Sequence, residues 1–180
     1  YGDELDGVIF LGTGNQPKAV VDSGLKLAHI AKLVRGERYR SELLNTIMFG
    51  AYNKRIKDNR TANDWLTKDT KIVDEYLSDP KCSYKFTANA YIGFLNVIKY
   101  DIDKKNIAKT PDKLPVLFAS GLEDPVGDYG KGVKKAFKMY TKYVDNVELY
   151  LYEDDRHELH SETDREDIFS DLYEWIEENV

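Results

Sequence analysis

The stretch LPVLFASGLEDPVGDYGKGV, residues 114–133, decides the fold of this 180-residue chain. It begins with a continuously apolar run, LPVLFASG, which is typical of a strand buried on both faces of a parallel sheet. An amphipathic helix is predicted within residues 130–144. The following VELYLYE, residues 147–153, alternates apolar and polar side chains, as a strand near a sheet edge does. The order strand, helix, strand predicts two parallel strands joined by a right-handed crossover.

A third strand is predicted at residues 7–12, close to the start of the chain at Tyr1, which is not an initiator Met. Its apolar run does not alternate, so we expect a strand covered on both faces with a neighbouring strand on each side. The chain is therefore expected to be a piece of a longer protein. The GTG at residues 12–14 follows this strand as in dinucleotide-binding loops, but Pro17 takes the place of the third glycine. We interpret it as a turn that leads the chain off the sheet.

Four amphipathic helices are predicted between this first strand and the strand that begins near residue 114. A crossover between parallel strands needs only one helix. We therefore expect residues 17–105 to form an inserted helical cap. Residues 1–16 and 106–180 are expected to form an α/β core of parallel strands with flanking helices.

Two helix starts carry sequence signals. Pro17 suits the first position of the first cap helix, because a proline there loses no helical hydrogen bond. Thr163 and Glu166 have the T-x-x-E spacing of a capping box, which predicts the start of the last helix.

Composition narrows the class of protein. The formal net charge of -6 is spread along the chain and argues against a nucleic-acid partner, which would favour a basic face. A single cysteine, Cys82, cannot form an internal disulfide or a zinc cluster. No apolar run is long enough to span a bilayer, and no signal peptide is recognisable. These features favour a cytoplasmic location.

Two segments resemble metal-binding motifs but depart from them in spacing or in residue type. HELH, residues 157–160, is one residue short of the zinc motif H-E-x-x-H. DIDKKN, residues 101–106, begins like a calcium loop, but Lys105 stands at its fifth position and no glycine follows. We therefore expect neither a metal nor a cofactor.

Asp124 follows the second predicted strand, and His157 follows the third. The carboxyl ends of parallel neighbours meet at one edge of the sheet, where α/β proteins place ligands and catalytic groups. A carboxylate beside an imidazole fixes its tautomer and stabilises the imidazolium. Asp before His is also the chain order of the last two members of one class of catalytic triad. We predict a catalytic pair; the alternative is a turn aspartate before Pro125 and an unrelated surface histidine.

A triad also needs a nucleophile, and the sequence contains no G-x-S-x-G motif. Ser120 belongs to the second predicted strand, while Ser23 and Ser41 lie within helical stretches. None of the three has the strand–turn–helix context that exposes an activated hydroxyl. We therefore expect the nucleophile and its strand to lie upstream of this chain.

Segments spread over the whole chain resemble α/β-hydrolases of the lysophospholipase and monoacylglycerol-lipase-like group, which is also classified as the serine aminopeptidase S33 family. These segments are DELDGVIFLGTG (3–14), FGAYNK (49–54), RTANDWLTKD (60–69), LPVLFASGLEDPVGDYGKGV (114–133) and LYEDDRHE (151–158). The most specific parts are D-P-V-G-x-Y-G-K-G-V and F-G-x-Y-N-K. The resemblance implies the C-terminal part of an α/β-hydrolase fold, with a helical cap over the active site.

The resemblance also implies chemistry. It implies Asp124 as the acid and His157 as the base of a Ser-His-Asp triad, with the serine and the oxyanion-hole amides in the upstream part of the same fold. The implied substrates are carboxylic esters of the lysophospholipid or monoacylglycerol type, and this chain alone is expected to be inactive. Aromatic residues of the cap are available to shape an apolar pocket: Phe49, Tyr52, Trp65, Tyr91 and Phe94.

Two other functions remain open. A non-catalytic helical interaction module would need no nucleophile. It would not explain why Asp124 and His157 both follow strands, and it would leave the apolar strand at 7–12 as an open edge, which proteins avoid. An upstream aspartate or cysteine in place of the serine would make a different hydrolase.

Overall fold

The computed structural model describes residues 2–82 and 84–180 and contains a three-stranded sheet with helices on both faces. Its strands are β1 (Val8–Leu11), β2 (Val116–Gly121) and β3 (Val147–Tyr152). Its helices are α1 (Lys18–Arg35), α2 (Glu42–Phe49), α3 (Thr70–Ser78), α4 (Ala88–Asp101), α5 (Lys104–Ile107), α6 (Lys131–Tyr140) and α7 (Arg165–Asn179). Short 3₁₀ helices lie at Gly2–Glu4, Tyr52–Arg55 and Leu159–Ser161.

β2 lies at the centre of the sheet and runs parallel to both β1 and β3. Val116 stands opposite Val8 on one side and Val147 on the other. Every residue of β2 is buried, as its continuous apolar run predicts. The parallel arrangement predicted for the second and third strands is confirmed, so their carboxyl ends lie at the same edge.

β1 lies at the edge of the described sheet. Within residues 2–82 and 84–180 it pairs with β2 alone, and Leu11 at its end is 42% exposed. Its other edge is the one along which the sequence predicts a strand from the upstream part of the protein, and that strand stays a prediction.

The two faces of the sheet are covered by different helices. On one face Val116 and Phe118 pack against Val133 and Ala136 of α6. On the other face Ala119 packs against Ile168 of α7 and against a buried residue of the loop after β3, Leu159. Helices on both faces are what a buried parallel sheet requires.

Trp175 joins α7 to the edge strand β3. Its side chain is 1% exposed, and its indole Nε1 donates a 2.9 Å hydrogen bond to Oε1 of Glu148.

We expect Trp175→Phe to lower the free energy of unfolding by roughly 1–2 kcal/mol, because Glu148 loses its donor and the smaller ring leaves space. The measurement is urea unfolding of the protein that carries this chain. Tyr173→Phe, at a position 61% exposed on the same helix, should change it by less than about 0.5 kcal/mol.

The helices between β1 and β2 form a layer of their own, residues 18–107, called the helical layer below. α1 and α4 pack side by side, with Val21, Leu25 and Leu95 buried between them. Ser41 and Thr87 cap α2 and α4, since each side-chain oxygen accepts a hydrogen bond from a backbone N–H of the first turn. In the described residues no helix combines the length and the apolar character that crossing a bilayer requires.

Two predicted helix starts are displaced. Pro17 is the N-cap of α1, one position before the first helical residue. The capping box predicted at Thr163 and Glu166 is wrong, because α7 begins at Arg165 and its N-cap, Asp164, makes no side-chain capping bond. A capping box needs its threonine at the N-cap position, and here the turn before the helix is fixed by hydrogen bonds from Arg165 to the backbone oxygen of Glu162.

Candidate active site

The ends of β2 and β3 bring Asp124 and His157 together. Nδ1 of His157 lies 3.1 Å from Oδ2 of Asp124. The Asp124 side chain is fully buried, whereas 27% of the His157 side chain is exposed. A neutral imidazole that donates from Nδ1 to a carboxylate leaves Nε2 free to accept a proton. The pair therefore has the geometry of an oriented base.

A tight turn after β2 holds Asp124. Its Oδ1 accepts a 2.8 Å hydrogen bond from the N–H of Val126, and its backbone oxygen accepts one of 2.9 Å from the N–H of Tyr129. Tyr129 has a φ of 54°, an uncommon value for a residue with a side chain. The guanidinium of Arg55, from the helical layer, lies 3.5 Å from the centre of its ring. This contact connects the turn to the helical layer.

The GTG at residues 12–14 allows the chain to pass close to both partners. A Cβ on Gly12, whose φ is 60°, would lie 2.6 Å from the backbone oxygen of His157. A Cβ on Gly14 would lie 2.3 Å from the backbone oxygen of Val126, in the turn that holds Asp124. The two glycines therefore serve close packing of backbone segments around the pair.

His157 lies in a loop, residues 153–162, called the His157 loop below. This loop is bonded to residues 64–68 of the helical layer, called the Trp65 segment. The backbone N–H of His157 donates to the Trp65 oxygen at 3.4 Å, and that of Glu158 donates to the Leu66 oxygen at 2.7 Å. The Arg156 guanidinium donates to two backbone oxygens of the same segment, at 2.7 and 2.9 Å. The loop is thus held along its length.

Glu162 is the buried charge of this contact. Its side chain is 0% exposed, and burial raises the pKa of its carboxyl. Oε1 accepts from the N–H of Arg156 at 2.7 Å, and Oε2 accepts from the N–H of Lys68 at 2.9 Å. The Thr67 hydroxyl lies 3.0 Å from Oε2 and 2.8 Å from the Ser161 oxygen, and its single hydrogen serves one of them at a time.

A second buried carboxylate, Asp155, lies nearby. Burial raises its pKa, and the Lys68 ammonium forms an ion pair with it and a longer one, 3.5 Å, with Asp164. Carboxylate oxygens of Asp155, Glu162 and Asp164 lie within 4.8 Å of one another, close enough to hold a metal ion. The Lys68 ammonium supplies a positive charge to Asp155 and Asp164, while Oδ2 of Asp155 is buried and has no hydrogen-bond partner among the described residues.

The exposed side of the imidazole faces a cavity of about 890 Å³. Trp65, its ring centre 5.2 Å from that of His157, forms the nearest wall. Phe49, Tyr52 and Phe94 line it too, as the sequence suggested, whereas Tyr91 is buried inside the helical layer. Burial, together with the charge of Asp124, raises the pKa of Tyr52 to about 12, so its hydroxyl stays protonated.

The three serines considered from the sequence lie in a strand, in a helix and at a helix cap. Ser120 is fully buried, with its hydroxyl 3.3 Å from the backbone oxygen of Gly121, and Ser41 caps α2. Ser23 lies within α1. In the part of the chain that the structure describes, no serine hydroxyl forms a hydrogen bond with His157.

Sequence reasoning missed the residues that hold the His157 loop, above all Glu162 and Lys68. Lys68 lies in a segment already singled out, RTANDWLTKD, and Glu162 lies four positions after the end of another, LYEDDRHE, but nothing in the sequence marks a buried carboxylate. Partners almost a hundred positions apart bury it, and only the folded chain brings them together.

Comparison with known proteins identifies a family and similar folds. A family model described as "Serine aminopeptidase, S33" matches residues 1–164. A thermostable carboxyl esterase from Bacillus coagulans, in complex with glycerol, is similar in structure, with a TM-score of 0.88 and 24% identity over 99% of this chain and 58% of its own. A lipase in its open form has a TM-score of 0.80 and 27% identity over 97% and 57%. No protein of curated function matches in sequence.

A third similar structure is a soluble variant of monoglyceride lipase from Saccharomyces cerevisiae in complex with a substrate analogue. Its TM-score is 0.65 at 20% identity, over 99% of this chain and 55% of that one. The chain thus spans less than three fifths of the length of each of these three structures.

Proposed function

Because the chain belongs to the serine aminopeptidase S33 family of α/β-hydrolases, we propose that the complete protein is a serine hydrolase that cleaves carboxylic esters. The observation that carries the proposal is the 3.1 Å contact between Asp124 and His157 at the carboxyl edge of the sheet. Asp124 is buried and held by the turn, while the imidazole reaches the cavity.

In this proposal His157 is the base. Asp124 accepts a hydrogen bond from the Nδ1–H group, so Nε2 is free to take the proton of a serine hydroxyl as that serine attacks the acyl carbonyl. Asp124 then stabilises the imidazolium, which gives its proton to the leaving alcohol. Water then attacks the acyl carbonyl while His157 removes its proton; the bond from the acyl carbon to the serine oxygen breaks, and His157 returns the proton to that oxygen as the acid leaves. The serine and the amides that stabilise the oxyanion belong to the part of the protein upstream of this chain, so residues 1–180 alone are inactive.

The helical layer is proposed to be the cap of the active site, corresponding to the expected cap at residues 17–105. Its aromatic wall at Phe49, Tyr52 and Trp65 suits an apolar acyl group, because the three rings contact one another and offer apolar surface without charge. Acyl esters of the monoacylglycerol or lysophospholipid type are the proposed substrates. The proposed location remains the cytoplasm.

Labelling with a fluorophosphonate probe tests the proposal on the complete protein. The probe phosphonylates an activated serine, and peptide sequencing identifies the labelled residue. We expect one labelled serine, located outside residues 1–180, and loss of labelling after heat denaturation. Labelling within residues 1–180 would contradict the prediction that the nucleophilic serine lies upstream of this chain. No labelling at all would favour an aspartate or cysteine nucleophile or a non-catalytic interaction module.

A further inference from the structure

The carboxylate of Glu162 closes the His157 loop on itself. It accepts the N–H of Arg156, six positions earlier in the chain and directly before His157. A carboxylate without exposure to water is costly to bury unless hydrogen bonds satisfy it. Here backbone N–H groups from two different segments do so. The N–H of the residue directly before His157 is thus fixed by this one side chain, whereas the Arg156 guanidinium and the Glu158 N–H hold the loop to the Trp65 segment at other points.

The same carboxylate fixes the loop to the wall of the cavity. Its second oxygen accepts the N–H of Lys68, at the end of the Trp65 segment. Trp65 itself contacts the imidazole, and the direct bond from the His157 N–H to its backbone oxygen is long, 3.4 Å. A bond of that length is weak by itself. The shorter bonds to Glu162 help to fix the position of the Trp65 segment relative to the loop that carries His157.

We propose that Glu162 is a positioning residue, which acts through the peptide of Arg156 and through the Trp65 segment to set the place of His157 beside Asp124. The inference rests on the proposed function for its catalytic consequence, although the position of the imidazole can be measured without it. Glu162 touches neither Asp124 nor His157 through its side chain, so its effect is indirect.

A purely structural carboxylate would behave differently. Its loss would lower the free energy of unfolding, but the molecules still folded would keep the imidazole in place. A positioning residue changes the folded molecules themselves. The readouts must therefore report on folded protein: the Nδ1–H proton resonance of His157 and the division of any kinetic change between kcat and KM.

The test is Glu162→Gln in the complete protein. Glutamine keeps the shape of the side chain but turns an NH₂ group toward one of the two backbone N–H donors, which removes that bond. The far-downfield Nδ1–H resonance, assigned through its absence in His157→Gln, should disappear or move upfield in the folded variant. With an acyl ester, kcat should fall roughly 10- to 100-fold while KM changes less than about twofold.

Two further variants complete the design. Glu153→Gln alters an exposed carboxylate of the same loop and should leave the resonance and the kinetics unchanged. Thr67→Val removes the hydroxyl that Glu162 shares with the Ser161 oxygen and should move the resonance in the same direction by a smaller amount, so it replaces Glu162→Gln if that variant fails to fold. A folded Glu162→Gln or Thr67→Val protein with the wild-type resonance would overturn the proposal. A shifted resonance in a protein without hydrolase activity would uphold the positioning role and refute the proposed function instead.

Discussion

Replacing His157 by alanine in the complete protein should lower kcat/KM for an acyl ester by about 10⁴-fold or more, with the fold intact. The side chain is at the surface of the cavity and is not part of a hydrophobic cluster, so its removal costs little stability. The loss falls on the reaction, because no other described residue has a proton-accepting nitrogen held against a buried carboxylate. Ester hydrolysis and thermal unfolding of the purified variant measure the two effects separately.

A substitution of Asp124 extends this prediction to the second member of the pair. Asp124→Asn should also reduce kcat by about 10⁴-fold, because an amide cannot hold the Nδ1–H tautomer in the same way. The two residues act as one unit, so the double variant should be no slower than His157→Ala alone. His160→Ala, an exposed histidine three positions away, is the control and should retain activity within about twofold. Multiplied losses in the double variant would mean that the two residues act independently.

Gly121→Ala should prevent stable folding. A Cβ at this last residue of β2 would lie 2.0 Å from the backbone oxygen of Asp155 and 2.5 Å from that of Arg156. Both contacts are with backbone, and the Asp155 oxygen already accepts a 2.8 Å bond from the N–H of Glu123. The His157 loop would have to move away from the sheet. We expect a loss of at least about 3 kcal/mol in the free energy of unfolding, measured by urea denaturation.

A matched substitution separates this close approach from a general effect of glycine. Gly93 lies in the middle of α4, and a Cβ there would meet no atom within 4 Å. Gly93→Ala should therefore stabilise the protein by up to about 1 kcal/mol, through the better helix propensity of alanine. Equal stability of the Gly121→Ala and wild-type proteins would mean that the loop can shift without cost.

The parallel sheet could be predicted from the sequence because its signals are local. Continuous apolar runs mark β1 and β2, the alternating run marks β3, and an amphipathic helix between the last two implies a crossover. Since Asp124 and His157 directly follow these strands, their meeting could be inferred from topology alone. Their catalytic roles, and the limits of the cap at residues 17 and 105, stay predictions.

What could not be predicted depends on contacts between distant segments. The sequence EDDRHELHSETDRED has the composition of a solvated acidic loop, yet it contains the fully buried Glu162 and Asp155. The capping box failed for a local reason: hydrogen bonds from Arg165 to the backbone oxygen of Glu162 hold the turn before α7, and Asp164, not Thr163, stands at the N-cap position. Tyr91, considered for the pocket, is instead buried among α1, α2 and α4, and no helical periodicity tells a cavity wall from a helix interface.

The pairing of β1 with β2 has a consequence for biosynthesis. β1 is synthesised before the whole helical layer, and its partner β2 only after it. Until then the edge of VIFL that pairs with β2 is open, and an open apolar strand edge self-associates or recruits chaperones. β2, α6 and β3 are adjacent in the chain and can assemble soon after synthesis. Closing the long loop back to β1 is the step with the largest entropy cost. We therefore expect incorporation of β1 to limit the rate at which nascent chains reach the native sheet.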